Sequence, residues 1–328
     1  MEEGNFRNFS EEYGDLDQLS RQIVINQKLG LPTPYVCYKS WRPRSNSLRI
    51  LKFCIRFTEK HKQVSVRQVY YGLVSAQILE SAMKNYHRVS RVLVRARLAG
   101  IITFNRIVDD TREAEKTPSW DNMEEILKAA IDQYRSDWWE DQPYYVEVWL
   151  EKRALRRIFF PITNSYDVYL MPGGGYESWS ALWQGSKRFK TRFEERARRG
   201  QKLVILYFGD LDPSGKDMPR DIQKRFGVLG LDFAVIEVAL TRRDIEEYNL
   251  PRNPTKPKDT RNKWYKQKYG ITYAVELDAL PPEVLREKIH QAIRAYMDID
   301  KLNAHIYRDQ RNQTRWRRII ERNNGQES

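Results

Sequence analysis

The hydrophobic pattern in the first third of the chain predicts three amphipathic helices followed by two short strands. The helices are expected at residues 47–60, 66–77 and 86–99. Ser65 is the expected N-cap of the second helix, and Gly100 is placed to end the third. The strands are expected at residues 101–102 and 106–108. Three helices and then a small β-ribbon are typical of a winged helix-turn-helix domain.

Beyond residue 143 the pattern changes to short β-prone runs that alternate with helical stretches. Strands are expected at residues 145–150, 168–171, 203–208 and 233–240. Helices are expected between them at residues 152–159, 178–198 and 215–226. This alternation predicts a mostly parallel sheet covered by helices. The tail is punctuated by prolines and then becomes helical at residues 282–296 and 300–322.

These patterns predict an α/β protein in five segments. They are an N-terminal arm without a core of its own (1–46), a winged-helix domain (47–118), a linking helix (119–143), a parallel α/β core (144–240) and a mainly helical C-terminal extension (241–328). A length of 328 residues fits two or three domains.

Composition adds a charge signal. Lysine and arginine number 57 against 44 acidic residues, for a net charge of +13. This excess favours a polyanionic partner such as DNA or an anionic membrane, although a protein that is merely basic has the same count. The basic stretches lack a broad apolar side, so no membrane partner is expected. Two cysteines and a polar N-terminus favour a cytoplasmic, nucleoid-associated protein.

Carboxylates follow two of the predicted strands. Glu151 comes directly after the strand at 145–150, and Asp210 and Asp212 follow the strand at 203–208. Functional residues of parallel sheets gather at the carboxyl ends of strands, and magnesium prefers carboxylate oxygens. Glu151, Asp210 and Asp212 are therefore candidate magnesium ligands. For the two aspartates alone, helix-entry and turn roles are the alternative.

The third predicted helix is basic along one side. Residues 81–99 hold five lysines and arginines and no acidic residue. An apolar side can pack while the basic side faces phosphates, as in a recognition helix. The candidate DNA-binding residues are Lys84, Arg88, Arg91 and Arg95. A solvated charged face is the alternative here, as it is for two further basic stretches at residues 187–202 and 308–322.

The second predicted helix offers a candidate nucleophile. Tyr70 falls on its apolar stripe and is expected in the core, whereas Tyr71 lies away from the centre of that stripe. Arg67 precedes Tyr71 by four residues and shares its flank. A tyrosine hydroxyl beside a guanidinium can attack a phosphodiester. A boundary tyrosine that merely neighbours an arginine fits the same sequence.

Taken together, these motifs resemble the topoisomerase VI A subunit and the related meiotic double-strand-break transesterase. The segment 65–71 (Ser-Val-Arg-Gln-Val-Tyr-Tyr) is similar to that family's tyrosine motif. Glu151-Lys152 and the segment 210–215 (Asp-Leu-Asp-Pro-Ser-Gly) are similar to the Glu and DxD motifs of its Toprim domain, which would be the core at 144–240. The resemblance covers about residues 47–240 and, more weakly, the segment 275–280. The chain is shorter than a typical A subunit and closer to stand-alone homologues.

The resemblance implies a homodimer that cleaves double-stranded DNA. Tyr71 would form a 5′-phosphotyrosine bond, Arg67 would position the phosphate, and the three carboxylates would hold Mg²⁺, with Mn²⁺ as an alternative. No nucleotide is expected on this chain, so strand passage would require a separate ATPase subunit. Two alternatives stay open: a hydrolytic Toprim nuclease in which Tyr71 is structural, and a DNA-binding homologue without catalysis.

Overall fold

The computed structural model describes residues 16–61, 63–107, 117–173, 177, 179–197 and 200–324. The α-helices of these ranges are α1 (Leu16–Leu29), α2 (Ser45–His61), α3 (Val66–Ser75), α4 (Met83–Leu98), α5 (Met123–Gln133), α6 (Arg156–Ser165), α7 (Trp179–Ala197), α8 (Pro213–Val228), α9 (Arg242–Glu247), α10 (Asn262–Tyr269), α11 (Pro282–Arg294) and α12 (Ile299–Asn324). The strands are β1 (Tyr144–Leu150), β2 (Tyr169–Pro172), β3 (Lys202–Phe208), β4 (Ala234–Ala239), β5 (Asn253–Pro254) and β6 (Tyr273–Ala274).

The chain divides into two compact units. The first unit holds residues 1–110, 210–213 and 240–285, and the second holds residues 111–209, 214–239 and 286–328. Each unit is therefore made of segments that are distant in the sequence. The segment 240–285, which the sequence pattern assigns to the C-terminal extension, groups with the N-terminal helices.

In the first unit, α2, α3 and α4 pack on one another, as the hydrophobic pattern predicts. Their shared core includes Leu51, Cys54, Leu73 and Leu93, each fully buried. Ser65 caps α3 as expected: its hydroxyl accepts from Gln68 N, and Gln68 Oε1 accepts from Ser65 N in return. The two reciprocal bonds satisfy backbone donors that the first helical turn leaves open.

The β-ribbon predicted after α4 is wrong over residues 101–107. Residues 101–102 lie in a bend, and Phe104–Arg106 forms a 3-10 turn. Ile107 makes a single parallel bridge with Val64, so its backbone pairs with the loop before α3. Val108, the last residue of the predicted ribbon, lies outside the described residues. The fold class is therefore α/β with a three-helix group in the first unit, and the winged-helix and Toprim assignments stay predictions.

Residues 16–44 are more ordered than the sequence pattern indicates. Helix α1 buries Gln22 and Asn26, whose amides bind the following segment. Gln22 Oε1 accepts from Trp41 N at 2.6 Å, and Gln22 Nε2 donates to Trp41 O at 3.1 Å. Asn26 Nδ2 donates to Pro32 O at 2.5 Å. Buried amides that bind backbone groups help to organise this segment, and hydrophobic periodicity does not detect such contacts.

The second unit contains a parallel sheet of four strands in the order β2-β1-β3-β4. The predicted strands are confirmed, with bounds shifted by at most one residue. Central strands β1 and β3 are buried almost throughout, as expected for strands with helices on both faces. Glu147 on β1 is completely buried, and both of its carboxylate oxygens accept from Arg188 on α7, at 2.7 and 2.9 Å. This ion pair fixes α7 against the sheet. Within the described ranges, no helix is both long and apolar enough to cross a bilayer.

Candidate active site

Helix α3 carries the candidate nucleophile Tyr71 and the candidate phosphate-binding residue Arg67. Tyr70 lies in the core as expected, and its hydroxyl accepts from Ala82 N at 2.8 Å. Tyr71 is buried as deeply as Tyr70, with 5% of each exposed. The two rings lie 5.0 Å apart between centroids. Tyr71 is therefore buried, although the sequence pattern places it away from the centre of the apolar stripe.

Arg67 lies between two carboxylates of the segment after β6. Its Nη1 is 2.8 Å from Glu276 Oε2, and its Nε is 3.6 Å from Asp278 Oδ2. Burial alone would lower the pKa of Arg67, but the negative charges of Glu276 and Asp278 outweigh that effect and raise it. The guanidinium therefore carries a full charge. The phenol group of nearby Tyr71 also raises the pKa of Arg67.

The same segment holds the aspartate pair. Leu211 forms an antiparallel bridge with Val275 through two backbone hydrogen bonds of 2.9 and 3.0 Å. Asp210 Oδ1 accepts from Leu277 N at 2.8 Å, which orients this carboxylate. Asp210 is 9% exposed and Asp212 is partly exposed. The residues 210–212 thus lie beside the residues 275–278 that bind Arg67.

Tyr265 on α10 supports the aspartate pair from the other side. Its hydroxyl contacts the carbonyl oxygens of Leu211 at 3.2 Å and Tyr273 at 3.1 Å. Burial raises the pKa of Tyr265, and the nearby Asp212 raises it further. The phenol therefore stays protonated and acts as a hydrogen-bond donor that positions the backbone between the two aspartates.

Sequence reasoning missed Glu276, Asp278 and Tyr265 as members of this site. The sequence links the segment 275–280 to the site only through a weak resemblance. In this segment a single residue separates Glu276 from Asp278, as a single residue separates Asp210 from Asp212. This shared spacing is the sequence feature that could have identified Glu276 and Asp278 as site residues. Tyr265 had no signal, because its role depends on a bridge between segments more than fifty residues apart.

Glu151 belongs to the second unit, at the carboxyl end of β1. Its backbone N donates to Phe208 O at 2.9 Å, so it lies level with the end of β3. A Cβ atom on Gly209 would come within 2.7 Å of Glu151 Oε2, so a larger residue there would displace the end of the Glu151 side chain. Gly209 immediately precedes Asp210 in the chain. A small cavity of about 10 Å³ beside Glu151 is also lined by Glu177 and Asp221.

The carboxylates match magnesium in chemistry, because this ion prefers one or two carboxylates together with water and substrate phosphate. Asp210 and Asp212 offer hard oxygen donors on a turn that hydrogen bonds hold in place. Over the described ranges, the structure contains no preformed cluster of three or more acidic, histidine or cysteine side chains arranged around a metal position. Asp210 and Asp212 therefore match magnesium only in the chemistry of their oxygen donors.

Helix α4 has the two-sided character expected of a recognition helix. Val89, Val92, Leu93 and Ala96 are buried on one side. Lys84, Arg91 and Arg95 are exposed and Arg88 is partly exposed. Its C-terminal half lines an open groove of about 860 Å³, whose other wall is the segment 39–47 that α1 holds in place. The exposed cations of that groove are Lys39, Arg42, Arg44 and Arg95.

Comparisons with known proteins add no relatives. No family model, curated protein or solved structure matches this chain.

Proposed function

We propose that the chain cleaves double-stranded DNA by tyrosine transesterification, in the manner of the topoisomerase VI A subunit. One observation carries the proposal. The turn at 276–278 binds Arg67 through Glu276 and binds Asp210 through the backbone N of Leu277. The tyrosine motif and the DxD motif, separated by about 140 residues in the sequence, are thereby joined through one short segment.

In the proposed reaction, the Tyr71 hydroxyl oxygen attacks a phosphorus atom of the DNA backbone. An O–P bond to tyrosine forms as the bond from phosphorus to the 3′ oxygen breaks. The tyrosine loses its proton, the 3′ oxygen gains one, and the 5′ end stays on the protein. The reverse attack by the 3′ hydroxyl reseals the strand without an external energy source.

The other residues have supporting roles in this proposal. Arg67 attracts the phosphate and stabilises negative charge that develops on its oxygens. Glu151, Asp210 and Asp212 are the proposed magnesium ligands, and magnesium, when bound, would supply further charge neutralisation at the phosphate. Lys84, Arg88, Arg91 and Arg95 on α4 are proposed to bind the duplex backbone. The homodimer and a separate ATPase subunit remain proposals from the family resemblance.

A covalent-adduct assay tests the proposal. The protein is incubated with end-labelled duplex and Mg²⁺, denatured, and analysed for label bound to protein. We expect a 5′ adduct in the wild type that is lost in Tyr71→Phe. Tyr70→Phe is the matched control, because it removes a hydroxyl of equal burial from the neighbouring position. Cutting without an adduct that survives Tyr71→Phe would refute transesterification.

The burial of Tyr71 favours a second candidate, hydrolysis by a Toprim-like nuclease in which Tyr71 is structural. Because only 5% of Tyr71 is exposed, its hydroxyl must become accessible before it can attack DNA. Hydrolysis has no such requirement, and cleavage in Tyr71→Phe would support it. Tight, salt-sensitive binding without cutting in any metal would instead indicate a non-catalytic DNA-binding protein, a candidate that the exposed cations of α4 favour.

A further inference from the structure

The final helix, α12, carries five exposed arginines in a single row, here called the arginine stripe. Its members are Arg308, Arg311, Arg315, Arg318 and Arg322. Their spacing alternates between three and four residues, so all five project from one narrow side of the helix. With a rise of about 1.5 Å per residue, the row is about 21 Å long.

The opposite side of α12 is anchored within the second unit. Asp309 is buried and accepts from Trp138 Nε1 at 2.8 Å and from Ser136 N at 2.9 Å. His305, also buried, contacts Asp141 at 3.1 Å, and Arg317 pairs with Asp132 at 2.6 Å. These contacts fix the rotation of the helix about its axis. The arginine stripe is therefore held facing outward.

The arginine stripe carries only positive charges. Acidic residues of α12 are Asp300 in the first turn, the buried Asp309, and Glu321, which projects to the side of the row. A solvated helix face usually mixes charges of both signs, which lowers repulsion between neighbours. Five like charges along about four turns cost free energy in the unbound protein. A polyanion that runs along the helix would relieve this repulsion.

We propose that the arginine stripe binds the phosphate backbone of double-stranded DNA, as a second contact surface besides α4. The inference rests on the proposed function, which supplies duplex DNA as the substrate. Guanidinium groups bind phosphate through paired, charge-assisted hydrogen bonds. Duplex DNA carries one charge per about 1.7 Å of its axis, so a row of about 21 Å meets several phosphates. An anionic membrane fits less well, because the side of α12 opposite the row is packed within the second unit and cannot insert among lipids.

The salt dependence of DNA binding tests this surface. Binding of the full chain to a labelled duplex is measured by fluorescence anisotropy in EDTA, where cleavage plays no part. The stripe variant is Arg311→Gln/Arg315→Gln/Arg318→Gln, and the control is Lys202→Gln/Arg220→Gln/Lys224→Gln, which removes the same charge from exposed positions elsewhere in the second unit. The slope of log Kobs against log salt changes by about 0.9 per phosphate contact. We expect the stripe variant to flatten it by about 2 to 3 and the control by less than about 0.5.

Equal slopes for the two triple variants would overturn the inference. Loss of binding to phosphatidylserine vesicles with unchanged duplex binding would overturn it as well. Glutamine keeps a high helix propensity, and Arg315→Glu alone, which alters a single position, should shift the slope in the same direction. If the wild type forms no tyrosine adduct but the stripe variant still flattens the slope, the proposed chemistry fails and the DNA-binding surface stands.

Discussion

The ion pair between Arg67 and Glu276 is predicted to stabilise α3 by more than an equally short pair elsewhere in the same unit. Arg67 Nη1 and Glu276 Oε2 are 2.8 Å apart, as are Lys60 Nζ and Glu283 Oε1. The side chains of the first pair are 42% and 32% exposed, against 68% and 44% for the second. The two pairs match in distance and differ in exposure to solvent, and each has one further neighbour: Asp278 near Arg67 and His61 near Glu283.

The expected magnitudes follow from that exposure. Exposed ion pairs contribute about 0.2 to 1 kcal/mol, because water screens them and two long side chains must be ordered. We expect a coupling energy of about 1 kcal/mol for Arg67 with Glu276 and about 0.3 kcal/mol for Lys60 with Glu283. Arg67→Gln alone should cost about 2 kcal/mol, because Asp278, whose side chain is 1% exposed, also loses its cation.

Double-mutant cycles measured by native-state hydrogen exchange would check these values. The cycles combine Arg67→Gln with Glu276→Gln, and Lys60→Gln with Glu283→Gln. Exchange at the amides of α3 and α2 reports local opening, so the result does not require two-state unfolding of the whole chain. Coupling energies that are equal, or larger for Lys60 with Glu283, would refute the reasoning that burial sets the strength of these pairs.

Three further predictions concern a turn, a pKa and a positioning hydroxyl. Gly100→Ala should lower the melting temperature more than Gly30→Ala: both glycines have positive φ, of 69° and 60°, but only at Gly100 would a Cβ collide with a backbone oxygen, that of Val36. Equal losses would contradict the collision. Burial raises the pKa of Glu177, so its contribution to stability is present at low pH and is lost as the pH rises through that pKa. Glu177→Gln should flatten the decline in melting temperature above pH 4, and an unchanged decline would contradict this. Tyr265→Phe should cost about 1 kcal/mol and slow DNA cleavage, because the turn between the aspartates loses its donor. Unchanged stability and cleavage would show that the hydroxyl does not position the turn.

Local periodicity predicted most of the secondary structure. Helices α2 to α4 follow from the helical repeat of 3.6 residues, and capping residues such as Ser65 mark helix ends. Strands β1 to β4 follow from short β-prone runs. Two predictions failed, those for residues 16–44 and for the ribbon after α4, and neither failure concerns hydrophobic periodicity. Helix α1 is organised by the buried amides of Gln22 and Asn26, which look like surface residues in a sequence. The predicted ribbon after α4 contains β-prone residues, but its partner is the loop at Val64 and not a second strand.

The site was harder to predict because it depends on contacts between distant segments. Strand ends identified Asp210 and Asp212, and helical spacing identified Arg67 and Tyr71. Neither rule shows which distant segments connect these motifs. The connection depends on the bridge between Leu211 and Val275, which local sequence patterns do not predict.

The positions of the exposed charges bear on function more directly than the net charge of +13 does. A protein that is basic only for solubility would intersperse both signs over its surface. Exposed cations occur in many parts of the described chain, but α4 and α12 each carry a row of them along one side, opposite a buried side. The acidic residues Asp210, Glu276 and Asp278 are instead drawn together around a single arginine-bearing helix. Concentrated cations suit a long polyanion, and a compact acidic site suits chemistry at one phosphate of that polymer. The proposed DNA-binding rows and the proposed acidic site are the physical reason to test the chain first on duplex DNA and not on a small phosphate ester.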